Sequence, residues 1–207
     1  MKTYYRIWLE EELPKLISYR SNMDYTLDLG CKDLRYRELL DGMYVGVDVN
    51  PRVKGKDVVI ADAHHLPFVD EAFSVVLATE LFEHLKDPKK AIMEIYRVTK
   101  SGGELILSVP YLFPSPHEEY WRFSENGIRL LLNELFEIKV VRKIGGLFTN
   151  FFTSLFIFLE SFIPKKINKI IYPLYTLLRI ASKTIDQYIN THYAYAPISG
   201  ILVKAKK

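Results

Sequence analysis

The sequence predicts a single α/β domain, with a seven-stranded, mainly parallel sheet, helices on both faces and a C-terminal helical insert before the last strand. Three observations predict it. From Tyr25 onward short apolar runs alternate with amphipathic segments, the pattern of strand and helix units built around a parallel sheet. Between Leu147 and Tyr188 that alternation breaks, and apolar residues recur at helical spacing with no strand signal. The chain has 207 residues, room for one domain with a full core but not for a second catalytic domain.

The strands are expected at 25–29, 44–48, 57–61, 73–79, 104–109, 136–142 and 198–205. A leading helix is expected over 4–20 and a short one over 34–41. Asp87-Pro88 reads as an N-cap followed by proline at the first helical position, opening a helix over 88–100 that Ser101-Gly102-Gly103 closes. Ser124 opens another over 124–135. This divides the domain into a leading helix (1–22), a core (23–146), an amphipathic insert (147–195) and a last strand (196–207).

Within the insert, Phe148, Phe151, Phe152, Leu155, Leu159, Phe162 and Ile163 share one helix face, with Thr149, Asn150 and Thr153 largely away from it. After Pro164-Lys165-Lys166, a second stripe runs through Ile167, Ile170, Ile171, Leu174, Leu177, Leu178, Ala181 and Ile185, implying two antiparallel helices with Pro173 as a kink point. Lid, subunit interface and membrane contact through 147–188 all fit these stripes, and monomer and homodimer both stay open. No segment reaches the roughly 20 apolar residues that a bilayer core requires.

Composition narrows the classes of function. With 49% hydrophobic and 26% charged residues the chain is globular, neither disordered nor a disulfide scaffold. Lys and Arg number 28 against 25 Asp and Glu, too even a balance to recommend a nucleic-acid partner. Cys31 stands alone, which suits a reducing cytoplasm, and the acidic N-terminal stretch lacks the features of a signal peptide, so a cytoplasmic location is expected.

The chemistry-bearing residues cluster at expected strand ends. In Thr26-Leu27-Asp28-Leu29-Gly30-Cys31, an apolar strand ends in an acid and a glycine, which lets backbone pass close beneath a ligand on the sheet edge. In Tyr44-Val45-Gly46-Val47-Asp48-Val49-Asn50, the acid at the end of the second strand can accept both hydroxyls of a ribose. Asp62-Ala63-His64-His65-Leu66-Pro67-Phe68 follows the third strand and offers an acid to an adenine amino group. The fourth strand empties into Glu80-Leu81-Phe82-Glu83-His84-Leu85. After the fifth, His117, Glu119, Tyr120, Trp121 and Arg122 crowd a proline-rich loop that reads as an acceptor site, with Trp121 its most core-like member.

The run from 26 to 109 resembles the class I S-adenosylmethionine-dependent methyltransferases, of the group with an LDxGCG first motif, a GxD second, a DAxxLPF third and an ExxEH fourth. That resemblance implies a Rossmann-like sheet and S-adenosylmethionine as cofactor. It places Asp28 and Gly30 by the methionine part, Asp48 by the ribose, Asp62 and Ala63 by the adenine, and Glu80 beside the methionine, with Cys31 and Val49 also at the cofactor. Ser108-Val109-Pro110-Tyr111 and Tyr120-Trp121-Arg122-Phe123-Ser124 are similar to SVPF and DYWRFT elements of members found with glycan-biosynthesis genes, which implies a small-molecule or glycan- or lipid-linked acceptor. The sequence departs from the usual GxG at Gly30-Cys31-Lys32, putting a side chain where close backbone approach is expected.

The catalytic candidates are then His117 and His84 as bases, Arg122 as a hold on an anionic acceptor, and Tyr120. His64 and His65 read as turn residues, Cys31 as a small buried filler, and no metal is expected, for want of a second cluster at ligand spacing. A nicotinamide-dependent oxidoreductase would need G-x-G-x-x-G, and no glycine stands at the required positions after Gly30. A non-catalytic adaptor on the same fold is the other reading, supported by Lys32.

Overall fold

The computed structural model describes residues 4–17, 24–112, 118–160, 162, 165–192 and 197–207. Helix α1 (Tyr4–Glu12) leads into strands β1 (Tyr25–Leu29), β2 (Met43–Asp48), β3 (Val58–Ile60) and β4 (Phe73–Thr79). Helix α2 (Pro88–Val98), strand β5 (Thr99–Pro110), helix α3 (Glu125–Leu132) and strand β6 (Glu137–Ile144) follow. The insert is α4 (Leu147–Glu160) and α5 (Lys165–His192), and β7 (Gly200–Lys206) ends the fold. The seven strands form one sheet in the order β3-β2-β1-β4-β5-β7-β6. Its pairings are parallel except those of β7, which runs antiparallel between β5 and β6. The Rossmann-like α/β expectation holds.

The core sits on both sheet faces, as period-two alternation requires. Val76 and Ala78 of β4, Leu105 and Leu107 of β5 and Ile201 and Val203 of β7 pack with Ile92 and Ile95 of α2 and Ile128 of α3. Their neighbours Val75, Leu77, Ile106 and Leu202 point to the opposite face, against Tyr5, Trp8 and Leu9 of α1 together with Tyr36 and Leu40. At the start of α2 the Asp87 carboxylate accepts from Lys90 N at 3.0 Å with Pro88 in the first turn, and at α3 Ser124 Oγ accepts from Gly127 N.

Some element boundaries differ from the sequence reading, for local reasons. The leading helix gives way after Glu12 to a 3-10 turn over Leu13–Lys15 opened by Pro14, which has no N–H to continue an α-helix; residues 18–20 of the expected helix lie outside the described residues. The segment 34–41 is not an α-helix. Lys32 and Leu34 both take positive φ, 41° and 55°, and Gly42 already turns into β2, leaving space only for a 3-10 turn over Arg37–Leu39 that seats Tyr36 and Leu40 in the core. Helix α2 stops at Val98, and Ser101-Gly102-Gly103 belongs to an irregular part of β5, where the pairing with β4 shifts register, not to a helix cap.

The insert is two helices, and α5 runs through Pro173. Its inward side carries polar residues. Thr149, Asn150 and Thr153 of α4 are buried, while Phe151, Leu155, Ile157 and Phe158 are exposed; on α5, Ser182 and Asp186 are buried and Leu174, Leu177 and Ile180 exposed. Hydrogen bonding explains why these polar side chains are buried. The Asp186 carboxylate accepts from Phe148 N at 2.9 Å and Thr149 N at 2.7 Å, capping α4 from the neighbouring helix. Ser199 Oγ, just before β7, donates to Asn150 Oδ1 at 2.6 Å, and Asn190 Nδ2 donates to Gly145 O at 2.8 Å. Between the helices the rings of Phe156 and Tyr175 meet at a tilt of 44° with centroids 3.9 Å apart.

Candidate functional site

Parallel pairing brings the carboxyl ends of β1, β2, β3 and β4 to one edge, and this register places the sequence motifs side by side. Gly30 follows β1 with φ of 73°, a left-handed conformation suited to glycine, and its N–H and that of Cys31 both donate to Val47 O of β2. Asp48 closes β2. Its Oδ2 accepts from Lys32 N at 2.9 Å and its Oδ1 from Asn50 N at 2.8 Å, so the carboxylate is fixed in place, and with about four lone-pair sites it retains acceptor capacity. Lys32 is exposed, so its side chain is turned to solvent, though the backbone sits at a φ that glycine would take more easily. Val49 is exposed beside Asp48.

At the end of β3, Asp62 Oδ1 accepts from His64 N at 2.8 Å and lies 2.5 Å from His64 Nδ1, an Asx-type turn that aligns the acid, while Ala63 is buried below it. Asp28 is fully buried in β1, where Tyr44 Oη donates to its Oδ2 at 2.8 Å and its Oδ1 has no hydrogen-bond partner. Burial, against the help of Tyr44, pushes its carboxyl up to about 7. Cys31 is buried against Gly46, and burial pushes its thiol up to about 12, so it packs rather than reacts. Glu80 follows β4 with φ of 49°, its N–H donating to Ser108 O of β5, and its carboxylate pairs with Arg6 of α1, whose other nitrogen donates to Tyr36 Oη. Sequence reasoning missed Arg6 and Tyr44, because their partners are distant in the chain and no local pattern marks them.

A second group adjoins the end of β4. Phe82–His84 forms a 3-10 turn, and the 118–122 segment is strapped to it. Tyr120 N and Trp121 N donate to Glu83 O at 2.7 and 3.3 Å, Trp121 Nε1 donates to Leu85 O at 2.8 Å, and His84 Nδ1 lies 2.6 Å from Glu118 O. Arg122 pairs with Glu119. Tyr120 and Trp121 are exposed, so Trp121 is a rim residue and not a core one; its indole N–H is satisfied by a backbone carbonyl while its ring stacks beside Phe123. His117 lies outside the described residues. The structure thus brings the 118–122 segment, with Tyr120 and the Arg122–Glu119 pair, against the turn that carries His84.

Residues 27–107 match the family described as a methyltransferase domain. Among curated proteins, 27-O-demethylrifamycin SV methyltransferase of Amycolatopsis mediterranei is 32% identical over 126 residues, 52% of this chain and 46% of that one. The chain spans less than half the length of the curated relatives it matches. A methyltransferase from Bacillus halodurans superposes with a TM-score of 0.60 at 18% identity, covering 95% of this chain and 99% of that one. Haemonchus contortus phosphoethanolamine N-methyltransferase 2, solved with S-adenosyl-L-methionine, superposes with 0.62 at 20% identity, over 96% and 51%. The fold is the methyltransferase fold. The residues at this strand edge would fit S-adenosylmethionine: a held carboxylate for ribose hydroxyls, a glycine turn for close approach, and a buried Asp28 oxygen without a partner where a cationic group would be stabilised.

Proposed function

We propose that the protein is a methyltransferase acting on a small-molecule or glycan- or lipid-linked acceptor. The observation that carries the reading is Asp48, held at the end of β2 by two backbone N–H groups beside the Gly30 turn. When bound, the cofactor supplies a methyl carbon already activated by its sulfonium. The chain's residues then bind and align. Asp48 and Val49 take the ribose, Asp62 and Ala63 the adenine end, and Asp28, Gly30, Cys31 and Glu80 flank the methionine part. Tyr120 and Trp121, both exposed, offer aromatic surface suited to the apolar face of a sugar or a lipid-linked group. Arg122 supports an anionic acceptor, and His117 is placed in sequence to take its proton.

The outward apolar face of α4 and α5 supports a membrane-bound acceptor. Phe151, Phe158 and Phe162 are exposed there, and α5 opens with Lys165, Lys166 and Lys169. Among the described residues no helix is long and apolar enough to cross a membrane. Arg179 and Lys183 do not belong to that surface, because both pair with Glu11 of α1.

The test is calorimetric titration with S-adenosylhomocysteine. Asp48→Ala should bind at least about tenfold more weakly, having lost a charged acceptor for the ribose hydroxyls, and Lys32→Gly should bind equally or more tightly. Wild-type protein that binds none, or an Asp48→Ala variant with full affinity, removes the cofactor assignment and with it the enzymatic reading.

A further inference from the structure

The feature left over by the cofactor crevice is the Glu83 carboxyl group. It is 2% exposed, its Oε2 has no hydrogen-bond partner, and burial pushes it up to about 7. A carboxyl group placed so is costly unless a proton or a cation compensates it. One ligand atom from each of Glu83, His84 and Glu119 lies within 4.8 Å of the other two. Sequence spacing could not show this, because Glu119 arrives from a separate loop.

We propose that Glu83, His84 and Glu119 bind a divalent cation, Mn2+ or Zn2+ by the mixture of two carboxylates with one imidazole. The histidine is prepared for it. Glu118 O can only accept, so the 2.6 Å contact puts the proton on His84 Nδ1 and the ligating lone pair on Nε2, the usual outer-shell arrangement of a metal-bound histidine. His84 Nε2 stands 3.8 Å from Glu83 Oε1, too far for a hydrogen bond and within the roughly 4.2 Å that two ligands about 2.1 Å from one ion can span. Arg122 grips Glu119 and steadies the carboxylate that comes from the loop. Three protein ligands leave positions open on the ion. The inference rests on the methyltransferase reading in one respect: the open positions would take an oxygen of the acceptor, a hydroxyl or phosphate, beside the end of β4.

Mn2+ is its own probe. Titration of the whole protein with Mn2+, followed by the loss of the free-ion electron paramagnetic resonance signal, should show one site, displaced by Zn2+. Glu83→Gln and His84→Ala should each weaken it at least about tenfold; because Glu83→Gln is a core change, Glu119→Gln on the loop is the second variant and should do the same. Absence of a wild-type site below about millimolar Mn2+, or equal affinity in the Glu119→Gln and His84→Ala variants, overturns the proposal. S-adenosylhomocysteine titration of the same samples separates the two readings: cofactor binding without Mn2+ binding removes the cation site alone, and Mn2+ binding without cofactor binding keeps the site and removes its link to methyl transfer.

Discussion

Asp28 is a carboxylic acid enclosed in the middle of a sheet, and its titration should be visible in the stability of the whole molecule. Its ordinary value is 3.8 and burial raises it to about 7 in the folded protein. A raised acid binds its proton more tightly when folded, so the stabilisation is complete below about pH 4 and is lost as pH rises through 7. The cofactor-free protein should therefore have a lower urea midpoint at pH 8 than at pH 5.5, and Asp28→Asn should flatten part of that fall. Glu83, raised in the same direction, should account for much of the remainder. An Asp28→Asn protein with the wild-type pH dependence would show that Asp28 is ionised throughout. Legibility divides along the same line. Asp28, Gly30 and Asp48 could be read from sequence because strand-end acids and a turn glycine are local signals. Tyr44 on Asp28 and Arg6 on Glu80 could not, since a hydroxyl or guanidinium has many alternative partners until the sheet is assembled.

Among the elements, the insert teaches most about the reach of periodicity. The stripes of α4 and α5 were legible as helices, but a helical period identifies a face without saying which way it points. Here the buried side is the polar one, and Asp186 holds it there through Phe148 N and Thr149 N. Asp186→Ala should cost about 2–3 kcal/mol, since it leaves one buried and one partly buried donor at a helix start unsatisfied; a loss under about 0.5 kcal/mol, read from chemical denaturation, would assign the fastening elsewhere. The outward side gives a second expectation. Intact protein should co-sediment with anionic liposomes in a salt-sensitive manner, and a variant with Phe151, Phe158 and Phe162 changed to Ser should stay in the supernatant. Wild-type protein that stays there too would leave the face to another partner. Phe156 is unsuited to this test, because it is buried against Tyr175.

At the scale of the molecule, the strands of the parallel core were legible, because each strand there is followed by a turn or helix of recognisable chemistry. The 34–41 segment was not, because backbone turns at Lys32 and Leu34 overrode a helical pattern of side chains. The strand order has a further consequence for how the chain is made. Strand β7 follows the other described elements in sequence, yet it lies between β5 and β6. A chain emerging from the ribosome thus presents β5 as an open apolar edge, with β6 unpaired, throughout the synthesis of α4 and α5. The first four strands can assemble on β5 in that interval, but the second half of the sheet must wait. A protein truncated after His192 should keep β1–β5 protected from protease while β6 is cut, and should aggregate more readily than the full chain. If β6 were as resistant in the truncated protein as in the intact one, it would hold its place without β7, and the wait during synthesis would carry no hazard.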